Sequence, residues 1–334
     1  MDWIVPLTSS NGPIALGTEN LFLGPGVMIA SPHDVGASFE GLRQRAVIYG
    51  SLVGDGGLYT GSATQTFDLR VAAGGLVFSV GYPAVDVQVS ESVAIRNDGV
   101  IENLALSFGA VRLVGLSAVA TSAVRNGGTI EGGAGIIVTG AMASFRLVNT
   151  GSILASVDAY VDNTTGSVDT VINAGRMEGN VRLGLGNDSF VGTGGSLAGT
   201  ASGGGGEDRL VGGSGDDTLA GGLGADTLTG GAGADRFVFA EGGANRDRIA
   251  DFSTEDFVVL DRSYFTALSA GALPASAFAA NLTGLAQDAS DRLIFETDTR
   301  ILRYDRDGTG AGGAVMVGVI QAGGVIGASD ILVA

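Results

Sequence analysis

The sequence contains no cysteine and no lysine, and it has a single histidine, His33, among its 334 residues. The absence of cysteine excludes disulfide bonds and thiolate metal sites. The absence of lysine excludes Schiff-base chemistry. His33 and Asp34 allow two interpretations, a catalytic pair or an incidental histidine. A metal ion in this protein would have to be bound by oxygen ligands.

Positive charge is scarce, because 18 arginines face 35 acidic residues, and the net charge is −17. This balance disfavours nucleic acid and anionic membranes as partners, since both require a basic surface. Long apolar runs are absent too, and no transmembrane helix is expected, since one needs about 18 or more such residues. The start, Met1-Asp2-Trp3, lacks the basic and apolar segments of a cleaved signal peptide.

Glycine is abundant, with 58 residues, and part of it follows a long period. A Gly-x-apolar tripeptide recurs at nearly regular intervals, with one longer step after the third copy, starting at Gly50, Gly75, Gly99, Gly128, Gly151 and Gly175. An asparagine stands two positions before each of the last four, at Asn97, Asn126, Asn149 and Asn173. A strand, an Asn-x-Gly turn and a second strand recur in this order, which predicts one coil of a parallel β-helix per repeat, with coils about 4.8 Å apart. Asparagines stacked in register could form a hydrogen-bonded ladder.

A second repeat is a nonamer. Four copies of GGxGxD plus a short apolar segment cover 203–211, 212–220, 221–229 and 230–238. Their aspartates are Asp208, Asp217, Asp226 and Asp235, and their apolar residues are Leu210, Leu219, Leu228 and Phe237. A degenerate earlier copy, 183–191, places Asp188 at the same position.

The chemistry of this nonamer favours calcium. Glycines let the backbone turn tightly and present carbonyl oxygens, and the aspartate adds a carboxylate. Ca²⁺ takes 6–8 such oxygens at about 2.3–2.6 Å in flexible geometry, whereas Mg²⁺ demands a stricter octahedron. Residues 203–240 carry six acidic and two basic side chains, so stacked aspartates would repel one another without a cation. Metal binding should therefore be coupled to folding. The alternative is that the aspartates only form turns.

The nonamers resemble the RTX calcium-binding repeat. The resemblance implies a parallel β-roll that binds several Ca²⁺ ions, each between turns two repeats apart. Asp208 would then pair with Asp226, and Asp217 with Asp235, while the partner of Asp188 stays open. The implied metal ligands are Asp188, Gly204, Gly206, Asp208, Gly213, Gly215, Asp217, Gly222, Gly224, Asp226, Gly231, Gly233, Asp235 and Asp251.

The resemblance extends downstream of the nonamers. Residues 235–261 are similar to the segment after the β-roll in RTX proteins, where the position of Asp251 caps the last calcium site. Residues 292–334 resemble a type I secretion region, with Y-D-R-D-G-T-G at 304–310 and Asp330 before a final apolar run. The loop 305–310 is either a further calcium loop or a plain Asp-Gly turn.

These observations predict an all-β fold, a parallel β-solenoid (β-helix) continuing into an RTX β-roll with a C-terminal β cap. The expected divisions are an N-terminal cap (1–40), about six β-helix coils (41–182), the β-roll (183–240) and a C-terminal cap with the secretion region (241–334). Expected partners are calcium and the type I secretion apparatus, with surface polysaccharide and self-association left open. The expected location is extracellular or at the cell surface.

Three functions compete for this architecture. The favoured one is a non-enzymatic structural or adhesion protein. The second is a polysaccharide lyase or epimerase with its active site on the β-helix, but acidic pairs such as Asp86 and Glu91 do not form a convincing acid/base site. The third, an RTX protease or pore-former, conflicts with the composition. One histidine does not make the protease zinc site, and there is no lysine for the acylation that activates the pore-formers.

Overall fold

The computed structural model describes residues 3–4, 6, 10–17, 19–61, 64–240, 242, 246–310, 312–321 and 326–334. The side chain of His33 lies outside the described residues, and so does its suggested pairing with Asp34. The chain forms two compact units, one of residues 1–185 and 194–199, the other of residues 186–193 and 200–334. Regular structure in the described residues is β-strand apart from two single-turn 3₁₀ helices, Ala275–Ala277 and Ala328–Asp330. The all-β prediction is confirmed.

One sheet of the first unit, the front sheet, consists of parallel strands, and each strand belongs to a different coil of a solenoid. Its strands are Trp3–Ile4, Asn20–Leu23, Arg43–Ile48, Thr66–Val71, Ser92–Asn97, Thr121–Asn126, Ser144–Asn149 and Val168–Asn173. Neighbouring strands from Arg43 onward align residue for residue, as Ser92 does with Thr121.

The back sheet of the same unit is also parallel, and three of its longer strands each span two short strands of a neighbouring coil. Thr129–Ala141, for example, pairs with Val100–Asn103 and with Gly109–Leu116. Its strands are Ser10–Asn11, Ile14–Leu16, Met28–Phe39, Ser51–Thr60, Leu76–Ser79, Val85–Val89, Val100–Asn103, Gly109–Leu116, Thr129–Ala141, Ser152–Thr164, Arg176–Arg182 and Ser196–Ala198. The predicted parallel β-solenoid is confirmed.

The core of this unit consists of apolar columns, because alternate residues of each strand point inward. The front sheet contributes the column Ala46, Leu69, Ile95, Val124, Leu147 and Val171. The back sheet contributes the column Ile29, Leu52, Val77, Ile101, Ile130, Ile153 and Met177. All of these side chains are essentially inaccessible to solvent. Burial of each large member stabilises the fold by about 1.5–3 kcal/mol.

The predicted asparagine ladder is present at the turn that ends the front-sheet strands. The side-chain amide of Asn97 donates to Asn126 Oδ1 at 2.8 Å, and Asn126 donates to Asn149 Oδ1 at 2.8 Å. Asn149 continues the ladder by donating to Asn173 Oδ1, again at 2.8 Å. A side chain at Gly151 would overlap the carbonyl oxygen of Gly128 in the coil beneath, which explains the glycine. The ladder is neutral, so its strength does not depend on a cation.

A buried polar cluster lies between the last coils of the first unit. Tyr160 Oη donates to Asp169 Oδ2, and Ser167 Oγ donates to Asp169 Oδ1 at 2.8 Å. Ser167 Oγ also lies 3.3 Å from Asp162 Oδ2, which accepts a 2.8 Å hydrogen bond from Thr164 Oγ1. Burial raises the pKa of Asp169 to about 6 despite the hydrogen bond from Tyr160, and the charge of Asp162 adds to the rise.

This raised pKa predicts that acid stabilises the first unit. Between pH of about 4 and about 6 the folded state holds a proton on Asp169 that the unfolded chain releases. The contribution is therefore complete below about pH 4 and is lost as the pH rises through about 6, a loss of up to about 3 kcal/mol. Urea unfolding at several pH values should show this slope in the wild type and not in Asp169→Asn. Parallel pH profiles for the two proteins would contradict it.

The second unit contains two further sets of strands. One set is Ser189–Val191, Arg209–Gly213, Thr227–Gly231, Arg248–Ile249 and Val315–Ile320, all parallel in that order, extended by Ile301–Tyr304, Leu293–Glu296 and Phe278–Asn281. The other set is Thr200–Gly205, Thr218–Leu223, Arg236–Phe239, Phe257–Leu260 and Ile331–Val333, all parallel, with Gly271–Ala272 antiparallel to the last. Successive nonamers alternate between the two sets, as a β-roll requires.

The apolar residue of each nonamer points into this roll, as predicted. Leu210, Leu219, Leu228 and Phe237 are all fully buried. Downstream, Leu293–Glu296 and Ile301–Tyr304 form an antiparallel pair. Strand Ile331–Val333 pairs in parallel with Phe257–Leu260, and it buries Ile331 and Val333.

Candidate metal centre

The nonamer aspartates are stacked in two columns, one for each set of strands. In the first column the backbone N–H of Asp188 donates to Asp208 Oδ1 at 2.7 Å, and that of Asp208 donates to Asp226 Oδ1 at 2.7 Å. In the second, the N–H of Asp217 donates to Asp235 Oδ1 at 2.9 Å. The structure therefore brings together both predicted pairs, each two repeats apart. It also pairs Asp188 with Asp208, at a wider spacing that the repeat period did not reveal.

One oxygen of the Asp208, Asp226 and Asp235 carboxylates is thus engaged by the backbone, while the other faces the first glycine of its own turn. Among the described residues, Oδ2 of Asp208, Asp226 and Asp235 is buried and has no hydrogen-bond partner. A buried carboxylate oxygen without a partner is costly, by about 1–3 kcal/mol or more for a charged group. A cation at these oxygens would remove that cost.

Burial also shifts the acidity of these groups. It raises the pKa of Asp208 to about 6, with a further rise from the charge of Asp226, against the opposing hydrogen bond from Asp188. It raises the pKa of Asp217 to about 6, reinforced by the charges of Asp235 and Asp216. The pKa values of Asp226 and Asp235 are raised as well, again chiefly by burial. Each shift shows that a negative charge here lacks compensation from the protein.

Glycine is required where the turns approach most closely. Gly222 and Gly224 have positive φ angles, 104° and 132°, which side chains disfavour. Any Cβ there would overlap the carbonyl oxygens of Gly204 and Gly206 in the turn two repeats earlier. The first position of a repeat requires glycine for a different reason: a Cβ on Gly221 would overlap the Asp226 carboxylate.

The second nonamer departs from the others. Gly213 and Gly215 do not adopt positive φ, unlike the matching glycines Gly231 and Gly233. Gly213 pairs in register with Gly231, as Gly204 does with Gly222, and the Gly213 carbonyl accepts the N–H of Ala232 at 3.0 Å. The predicted ligand positions Gly213 and Gly215 therefore have a backbone conformation different from the other turns.

Two residues that the sequence reasoning missed continue the columns. Asp247 Oδ1 accepts the N–H of Asp226 at 3.0 Å, and Asp256 Oδ1 accepts the N–H of Asp235 at 3.0 Å. Each lies more than two repeats beyond the aspartate whose N–H it accepts, in a segment without the glycine motif. The available signal was the tripeptide Asp-Arg-apolar at 247–249, which repeats that at 208–210 and 235–237.

Asp251 lies against the fourth repeat, where its carboxylate accepts the N–H of Gly230 at 3.0 Å and that of Gly231 at 2.9 Å. The loop 305–310 has the geometry of an Asp-Gly turn. Asp305 Oδ1 accepts the N–H groups of Asp307 and Gly308 at 3.1 and 3.0 Å. This arrangement favours the plain turn over a further calcium loop.

The residues of the roll fit a hard cation. Within the described part of the chain no three Asp, Glu, His or Cys side chains converge on one point. An ion here would therefore take two column aspartates, such as Asp208 and Asp226, and complete its shell with backbone carbonyls. Such an all-oxygen set suits Ca²⁺. Bound Ca²⁺ would supply the positive charge that these columns lack.

Comparison with known proteins agrees with this geometry. Residues 202–237 match the RTX calcium-binding nonapeptide repeat in four copies. No curated protein matches the chain. Proteins with this repeat are typically secreted, and the repeat family is typically non-enzymatic. In the described residues, no helix has the length and apolar character needed to cross a bilayer.

Proposed function

We propose that this protein is a secreted, non-enzymatic calcium-binding protein whose β-roll folds on Ca²⁺ outside the cell, and whose β-solenoid has a structural or adhesive role. The observation that carries the proposal is the pair of aspartate columns with buried, unpartnered carboxylate oxygens. Several ions would bind, with affinities of about 10⁻⁴–10⁻³ M, as in other extracellular modules. The ligand set, including Asp188 and Asp251, and the four-part division at residues 40, 182 and 240 remain predictions.

Export would follow the type I route, because an unfolded roll can thread a narrow channel and calcium is kept low inside cells. The match to the RTX repeat supports this route. The alternative, a polysaccharide-modifying enzyme, has little support on the solenoid. Asp86, a candidate acid there, is held in an ion pair with Arg112 at 3.0 Å.

Calorimetric titration of calcium tests the binding. The double variant Asp217→Ala and Asp226→Ala removes one carboxylate ligand from each column, so calcium affinity should fall by more than the roughly tenfold that loss of an outer-shell partner costs. The control is Glu91→Ala with Glu131→Ala, which removes the same charge from two exposed positions outside the roll. We expect the control to bind like the wild type. Equal losses in both would mean that the acidic surface attracts calcium diffusely.

A further inference from the structure

The outward face of the front sheet concentrates positive charge in a protein of net charge −17. The outward positions of its five strands from Arg43–Ile48 to Ser144–Asn149 carry six of the 18 arginines and one acidic residue, Asp68. These arginines are Arg43, Arg45, Arg70, Arg96, Arg125 and Arg146. The overall acidity of the chain therefore conceals a basic surface.

Three of these arginines form a ladder. Arg70, Arg96 and Arg125 occupy directly paired positions on consecutive strands, about 4.8 Å apart. Like charges directly opposite one another destabilise a sheet. Asp98 compensates Arg96 at 2.8 Å, but Arg70 and Arg125 form no ion pair among the described residues. Arg70 Nε is moreover buried without a hydrogen-bond partner there. The positive charge of this ladder is only partly compensated by the protein, as at an anion-binding surface.

Beside the arginine ladder lies a shallow depression of about 430 Å³. Ala94 and Ala123, which are paired across neighbouring strands, form its floor. A column of hydroxyl side chains, Thr66, Ser92, Thr121 and Ser144, forms its far wall. The hydroxyl column and the arginine ladder are four positions apart along each strand, about 13 Å. The depression therefore runs across the strands. Asp68 and Arg146, which pair with the floor alanines, lie at its two ends. The hydroxyl column borders it on one side, and the arginine ladder lies beyond the floor on the other.

We infer that this face binds a linear anionic polysaccharide that lies across the strands. Its carboxylates would meet the arginine ladder, and its sugar hydroxyls would meet the hydroxyl column. A single extended sugar chain fits between two columns of side chains about 13 Å apart. The inference deepens the adhesive role proposed above and rests on it, but it involves no calcium ligand.

Fluorescence anisotropy with a labelled short oligogalacturonate tests the inference on the whole chain in calcium. The triple variant Arg70→Gln, Arg96→Gln and Arg125→Gln should bind about tenfold or more weakly, since each exposed pair contributes up to about 1 kcal/mol. The control, Arg176→Gln with Arg182→Gln and Arg306→Gln, removes the same charge from exposed positions elsewhere. It should bind within about twofold of the wild type. Wild-type binding should weaken with added salt.

The outcomes separate this inference from the proposed function. Calcium affinity, measured on the same proteins, should be equal in both triple variants. If neither variant nor the wild type bound calcium, the proposed function alone would be refuted. Equal losses of oligogalacturonate binding in the two variants would overturn the inference, because calcium bridging or net charge would then explain the binding. Binding of neutral dextran equal to that of oligogalacturonate would also overturn it. The inference would also be overturned if the protein bound DNA, or self-associated in sedimentation, through the arginine ladder and did not bind the oligosaccharide.

Discussion

Chelation of calcium is expected to unfold the second compact unit and to leave the first one folded. Without a cation, each column buries neighbouring aspartates, such as Asp208 and Asp226, whose inner oxygens have no hydrogen-bond partner in the described part of the chain. We expect the repulsion and lost solvation to exceed the stabilisation that the short strands of the roll provide. The first unit has apolar columns and a neutral asparagine ladder, which are insensitive to calcium.

Circular dichroism and thermal melting with and without EGTA measure this difference. With calcium in excess of about 10⁻³ M, both units should melt cooperatively at high temperature. With EGTA, part of the β signal should disappear and the remainder should melt as before. Magnesium should not restore the lost part. If chelation changes neither the spectrum nor the melting temperature, the roll folds without metal and the coupling is refuted.

A single substitution distinguishes the metal role of a column aspartate from its hydrogen-bonding role. Asp226→Asn keeps an oxygen that can accept the N–H of Asp208 but removes the charge. We expect this variant to retain more of the β signal than the wild type in EGTA, and to be less stable than the wild type in calcium by about 1–3 kcal/mol. Glu131→Gln, the same change at an exposed position, should show no such reversal. Loss of stability under both conditions would mean that Asp226 has only a structural role.

Export should depend on the C-terminal region and not on the N-terminal one. Deletion of residues 292–334 should retain the protein inside a host that carries a type I exporter, while deletion of residues 1–40 should still permit release. Both deletions remove paired strands, Leu293–Glu296 in one and Met28–Phe39 in the other. Damage to the fold is therefore common to both, and it should not block the transport of an unfolded chain.

The protein in the medium and in the lysate is measured for each deletion by immunoblot. A fusion of residues 241–334 to a cysteine-free cytosolic passenger tests whether this region is sufficient for export, and we expect the fusion to be exported. If the chain without residues 292–334 is released as well as the intact chain, the type I proposal is wrong and this region only completes the fold.

The sequence allowed much of this fold to be predicted, because the repeats determine both period and inward face. Asn97, Asn126, Asn149 and Asn173 marked the turns, and Leu210 and Phe237 marked the inside of the roll. Asp247 and Asp256 escaped notice because longer loops widen their spacing beyond two repeats and replace the glycines. Gly213 and Gly215 show the opposite case, since the same motif adopts another backbone there without any difference in sequence pattern that would predict it.

The arginine ladder was invisible for a different reason. Arg70, Arg96 and Arg125 are unevenly spaced along the chain, because the back-sheet segments between them differ in length. Only strand pairing shows that the three side chains share one register. Net charge, from which nucleic acid and anionic membranes were disfavoured as partners, averages over surfaces that the fold separates.

The pairing of each front-sheet strand with the next has a consequence for how such a chain can grow. Every contact between coils joins residues only about one coil apart, so folding can begin at any coil and spread to its neighbours. Gain or loss of a whole coil keeps the alternation of inward and outward residues, whereas a shift of a single residue in a strand reverses it. The coil, rather than the residue, is therefore the natural step by which the length of this solenoid can vary through duplication.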